Sequence, residues 1–144
     1  MKTLNTFVLA VSAAAMLGTT GLYAQSGVAA NVPFNFTVDS ARMPAGEYTL
    51  KAVNRTSGII QMLNVETGES TLVLAPSLVS TYKGNGEKTG KLIFHRYGDR
   101  YFFSEVWSPD GLRGHVAPSK LEREIQMSGE KLALVSIPIA GAAQ

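Results

Sequence analysis

The segment Leu92–Trp107 concentrates the residue types that could act on another molecule. Phe94, Tyr97, Tyr101, Phe102, Phe103 and Trp107 are interleaved there with His95 and Glu105. Aromatic rings supply contact area, and an imidazole and a carboxylate can orient what they touch, so this is the first candidate for a ligand or partner surface. Catalysis would need more. His95 or His115 could act as a base beside a serine and an aspartate, but no Gly-x-Ser-x-Gly turn exposes a nucleophile. Two of the eleven acidic residues could pair as in a glycosidase. The chain has no cysteine and two histidines. Disulfides, thiolate metal sites, cysteine nucleophiles and a three-histidine metal centre are therefore excluded within one chain. There is no His-Glu-x-x-His, phosphate-binding glycine loop or EF-hand loop. The expectation is a protein that is not an enzyme and needs no cofactor.

A hairpin must position these side chains. A three-residue loop Gly98-Asp99-Arg100 pairs Tyr97 with Tyr101. Leu92, Phe94, Phe102 and Val106 then share one apolar face. Ile93, His95, Tyr97, Tyr101, Phe103, Glu105 and Trp107 share the other. A two-residue Gly-Asp loop shifts the pairing by one and mixes the faces, so the first register is preferred. It makes His95, Tyr97, Tyr101, Phe103, Glu105 and Trp107 the candidate contact surface. The competing reading is a second core layer with a satisfied histidine, covered by a helix or a partner chain.

The rest of the chain reads mainly as strands. Val32, Phe34, Phe36 and Val38 alternate with Pro33, Asn35 and Thr37, and Tyr48, Leu50 and Ala52 with Thr49 and Lys51. Ile59–Val65, a Thr67-Gly68-Glu69 turn and Thr71–Ala75 make a hairpin. Leu78–Tyr82 could add a short strand, and Leu132–Ile137 is the last. Pro44-Ala45-Gly46 reads as a type II turn with Gly46 at positive φ. Ser119-Lys120-Leu121-Glu122 fits a capping box, with Leu121 and Ile125 one turn apart and Gly129 placed to end the helix. Lys83–Gly90 is a polar loop. About eight short strands and one short helix predict a mostly β fold, an antiparallel sandwich or small barrel.

Residues 1–24 read as a secretory signal. Lys2 provides the positive start and Phe7–Leu17 an apolar stretch too short to span a membrane. Cleavage after Ala24, with Ala30 as a second option, leaves one domain over 25–139 and a small-residue tail over 140–144. The expected location is secreted or periplasmic, with no transmembrane segment after the signal. The formal charge of +2 falls to +1 without Lys2. No basic block marks a nucleic-acid binder.

The runs Val32–Val38, Met43-Pro44-Ala45-Gly46-Glu47-Tyr48, Lys91–Phe102 with its Phe-His-Arg-Tyr-Gly-Asp core, Glu105-Val106-Trp107 and Lys120–Ile125 resemble a group of small exported bacterial proteins. The resemblance covers most of Asn31–Met127. It implies export and a β-rich domain, and it carries no catalytic residue. The reading that follows is an exported, non-catalytic binding or envelope-associated module whose partner is an envelope protein or a glycan. The alternatives are a self-associating envelope protein that forms homo-oligomers through its edge strands, a small secreted hydrolase, and an eight-stranded outer-membrane barrel.

Overall fold

The structure, a computed structural model, describes residues 27–54, 56–76, 90–108 and 113–139. The expected signal, the Leu78–Tyr82 strand, the Lys83–Thr89 loop and the 140–144 tail lie outside the described residues. In chain order the elements are β1 (Gly27–Val32), β2 (Phe36–Val38), β3 (Ala41–Met43), β4 (Gly46–Asn54), β5 (Ile59–Asn64) and β6 (Ser70–Leu74). They continue with β7 (Lys91–Tyr97), β8 (Arg100–Trp107), β9 (Arg113–His115), α1 (Lys120–Met127) and β10 (Leu132–Pro138).

Two sheets form a sandwich. The first has the order β1-β4-β5-β6 and the second β10-β7-β8-β2-β3, with β9 also on β8. Alternation decides what lies between them. Val28, Val32, Leu50, Ile60, Met62 and Val73 face inward from the first sheet, and Phe36, Val38, Leu92, Phe94, Phe103 and Val106 from the second. The strands do not close into a barrel, so neither the small barrel nor the outer-membrane barrel is formed. The apolar side of each sheet is turned inward against the other sheet. The pairing is antiparallel throughout except at one place: β2 runs parallel to β8, with Thr37 opposite Phe102.

The expected Val32–Val38 strand is split between the sheets. Val32 pairs with Gly46 in the first sheet, whereas Phe36–Val38 pairs with β3 and β8 in the second. Pro33 lies at the crossing, where a residue without an N–H can leave a ladder at no cost in hydrogen bonds. The shared face survives: Val32, Phe36 and Val38 are buried and Phe34 packs against the same core.

The Pro44-Ala45-Gly46 segment differs from a type II turn. Gly46 is the first residue of β4, at φ 157, and a Cβ there would lie 3.2 Å from Asn64 Nδ2. Two residues on, the fully buried Tyr48 returns its hydroxyl as a donor to the Pro44 carbonyl. Burial pushes the Tyr48 hydroxyl pKa up, partly opposed by the Asn64 side chain. Asn64 itself caps the β5–β6 turn, its Oδ1 accepting from the Glu66 and Thr67 amides.

Candidate functional site

The β7–β8 hairpin turns through two residues, Gly98 and Asp99, with Tyr97 opposite Arg100, His95 opposite Phe102 and Phe94 opposite Phe103. This is the register that the sequence argument set aside. A bulge then absorbs one residue, so Ile93 faces Glu105 and Leu92 faces Val106, as the three-residue loop would have them. Ser104 is the extra residue. The expected faces therefore exchange members near the turn. Phe103 joins the main core, Tyr101 stacks on Phe34 with centroids 3.8 Å apart, and Phe102 moves to the outer face. The six proposed contact residues do not form one surface. His95, Tyr97, Glu105 and Trp107 face outward, and Tyr101 and Phe103 face the core.

The half of the outer face near the turn is covered by α1. Ser119 Oγ accepts from the Glu122 amide at 3.2 Å, the first half of the expected capping box. The second half does not form, because the Glu122 carboxylate turns into the sheet instead. Its Oε1 lies 2.5 Å from His95 Nδ1 and accepts from the Tyr97 hydroxyl at 3.1 Å. His95 Nε2 lies 3.0 Å from Ser104 Oγ, and Gln126 Nε2 donates to the Tyr97 hydroxyl at 2.8 Å. With a neutral ring, His95 donates from Nδ1 to Glu122 and accepts at Nε2 from Ser104; the partners fix this tautomer. Burial and the neighbouring Glu122 charge raise the Tyr97 hydroxyl pKa, against the Gln126 hydrogen bond.

The order carboxylate–imidazole–hydroxyl is that of a nucleophilic triad. It sits in a closed place. Ser104 is 2% exposed and Glu122 3%, and the His95 side chain 17%. Ile125, Tyr97 and Phe102 form a small apolar cluster separate from the main core. Leu121, expected on the same buried face as Ile125, is 46% exposed. The buried turn-mate is Glu122, because His95 and Tyr97 offer it hydrogen bonds.

The other half of the outer face is open and charged. Trp107 is flanked by its cross-strand neighbours, Lys91 Nζ 4.3 Å and Arg113 Cζ 4.2 Å from the ring centroid. Its Nε1 donates to Glu105 at 2.8 Å, and Arg113 bonds the same carboxylate oxygen at 3.3 Å. Burial pushes the Glu105 pKa up, but Trp107, Arg113 and His115 outweigh it and hold the carboxyl below its ordinary value. The indole is thus already engaged by side chains of its own sheet.

A groove of about 980 Å³ opens beside the hairpin turn. Its walls are the β2–β3 hairpin (Asn35, Asp39, Ser40, Arg42), the β7–β8 turn (Asp99, Arg100) and the first turn of α1 (Ser119, Lys120, Leu121, Glu124). Phe36, Thr37, Tyr101 and Phe102 complete the lining. Three cationic side chains, Arg42, Arg100 and Lys120, are matched by three carboxylates, Asp39, Asp99 and Glu124. None of these six was singled out from the sequence, since they come from three distant segments with no shared motif. Glu122 was read only as the glutamate of the Ser119-Lys120-Leu121-Glu122 capping box, and nothing local marks Ser104.

Among the described residues no group of three or more His, Asp or Glu side chains could hold a metal ion. No family model matches this chain, and no curated protein or solved structure matches it either.

Proposed function

We propose that this protein is an exported, non-catalytic β-sandwich that binds a polar, uncharged ligand of glycan type in the groove beside the hairpin turn. The observation that carries this reading is the balanced wall of that groove. Each hydroxyl of a glycan both donates and accepts. Carboxylates supply acceptors, and guanidinium and ammonium groups supply donors, at a volume within the range of small-ligand sites. Equal numbers of opposite charges give no net pull on a polyanion. Export rests on the N-terminal signal pattern and the resemblance to small exported proteins.

The test is a titration of neutral cell-envelope oligosaccharides against the protein and against Arg100→Ala and Asp39→Ala. Each variant should weaken binding by about tenfold, the loss of one or two charge-assisted hydrogen bonds. Trp107→Ala should leave binding unchanged. Because the groove is neutral, raising the salt from about 0.05 to 0.5 M should change affinity by less than about threefold. Binding that survives both groove variants would refute the reading.

A second reading, a hydrolase, is favoured by the Ser104–His95–Glu122 relay. One geometric fact weighs against it: Ser104 is 2% exposed and Glu122 3%, so no substrate reaches the hydroxyl while the relay is assembled. A fluorophosphonate probe should therefore leave Ser104 unlabelled, and labelling that His95→Ala abolishes would reverse the order of the two readings.

A further inference from the structure

The first two turns of α1 have two jobs on two faces. Lys120, Leu121 and Glu124, with the cap residue Ser119, line the groove. Spacings of three and four residues put them on one side of the helix. Glu122, Ile125 and Gln126 are spaced in the same way and face the sheet. Glu122 is buried and does not line the groove. Its Oε1 receives both the His95 Nδ1 contact and the Tyr97 hydroxyl, and Gln126 Nε2 donates to that same hydroxyl. Ile125 clusters with Tyr97 and Phe102, and Phe102 also lines the groove. Of the six charged groups in the groove wall, α1 alone carries Lys120 and Glu124. Asp39, Arg42, Asp99 and Arg100 belong to the β2–β3 and β7–β8 hairpins, whose strands are hydrogen-bonded within the second sheet. One side of the groove is thus built into the sheet. The other is attached to it by a few side chains.

We infer that Glu122 is a positioning residue of the groove: it touches no ligand, but by holding α1 to His95 and Tyr97 it sets the affinity of a ligand that spans the two walls. The inference rests on the glycan reading of the groove. Lys120 and Glu124 ride on one helix, so they reach the ligand together or not at all. With α1 docked the ligand meets both walls; with α1 released it meets only the hairpins. The coupling runs both ways, since whatever factor docking adds to ligand affinity, bound ligand adds to docking. At about tenfold for each charged contact, the loss of two gives a factor of about ten to one hundred. The acceptor oxygen matters here and the charge does not. Both bonds end on Oε1, and a glutamine keeps a carbonyl oxygen with two lone pairs at that place.

The experiment titrates neutral cell-envelope oligosaccharides against wild type, Glu122→Ala and Glu122→Gln. It also follows exchange of the Arg123 and Ser128 amides, bonded to Ser119 and Glu124 in α1, with and without saturating oligosaccharide. Glu122→Ala should weaken binding about ten- to hundredfold. Saturating oligosaccharide should slow exchange of both amides in that variant by the same factor, an equality that a merely structural role would not produce. Glu122→Gln should recover most of the affinity. Protection of the β7 and β8 amides reports that the sheet is intact. If Glu122→Ala fails to fold, Ile125→Ala loosens the same helix at its apolar contact and should show the same paired loss and recovery. Wild-type affinity in Glu122→Ala, or weakened binding with no ligand-induced protection of α1, would overturn the inference and leave the glycan reading standing. Glu122→Gln as weak as Glu122→Ala would overturn the assignment to the acceptor oxygen. A wild type that binds none of the oligosaccharides would overturn both readings.

Discussion

Replacing Glu122 by alanine is the sharpest test of how α1 is held. The substitution removes the acceptor for His95 Nδ1 and Tyr97 OH, both now at 2.5 and 3.1 Å from one carboxylate oxygen. With a neutral imidazole the loss leaves two buried donors, His95 Nδ1–H and the Tyr97 hydroxyl, without an acceptor, at about 1–3 kcal/mol each if everything else stays in place. Little else holds the helix. Eight residues are too few to be helical alone, and the one well-buried apolar side chain, Ile125, contributes about 1.5–3 kcal/mol. The penalty exceeds the apolar hold, so the helix should detach, exposing His95 to water and ending the penalty. The global loss then stops at the docking free energy of α1, on the order of 2–4 kcal/mol, or roughly 10–15 °C in Tm for a domain of this size. Native-state hydrogen exchange separates the cases. In Glu122→Ala the Arg123 and Ser128 amides, bonded to Ser119 and Glu124 in the native helix, should exchange nearly as in a free peptide. The β7 and β8 amides should remain protected. Adding His95→Ala should cost almost nothing further. If α1 keeps its protection, or the second substitution costs its full single-variant amount, the latch reasoning is wrong.

Three other outcomes follow from particular contacts. Gly58→Ala should lower stability by more than about 4 kcal/mol, because a Cβ at φ +68 would lie 2.2 Å from the Ala75 carbonyl oxygen; urea unfolding measures it. Tyr101→Ala should cost about 2–4 kcal/mol through the lost stack on Phe34, with a matching fall in Tm. Glu105 is held below its ordinary pKa of 4.5, so its contribution is complete above that value and is lost as pH falls through the lower, folded one. Glu105→Gln should flatten the dependence of stability on pH below about 5 and leave its shape unchanged at neutral pH.

Strand positions were legible because the signals are local. The expected strands at Ile59–Val65, Lys91–Tyr97, Tyr101–Trp107 and Leu132–Ile137 agree with β5, β7, β8 and β10 to within a residue. Ser119 and Gly129 mark the two ends of the α1 segment as read, Gly129 at φ +83. The hairpin register was not legible. Counting faces favoured three loop residues, and the count is right for Lys91–Ile93 against Glu105–Trp107. The bulge that reconciles this with a two-residue turn lies at Ser104, whose hydroxyl meets His95 Nε2 across the strands, a contact that no local pattern marks. For the same reason Glu122 read only as a capping-box residue and Leu121 as the turn-mate of Ile125, whereas Glu122 is buried and Leu121 exposed. The groove was illegible because its charges come from β2–β3, the β7–β8 turn and α1, which only the parallel β2–β8 contact brings together.

That parallel contact also sets an order in time. The strands of the first sheet all lie within residues 27–74 and can pair early in synthesis. The second sheet cannot, because Thr37 must wait for Phe102 and Lys91 for Pro138. Until then the inward face of the first sheet, with Leu50, Met62 and Val73, has nothing to pack against. Pairings this distant in sequence carry a loop-closure cost before any burial returns it, and they slow folding. The chain therefore stays open until almost its whole length is available. Ending it before β7 would leave the first sheet without the strands that cover it.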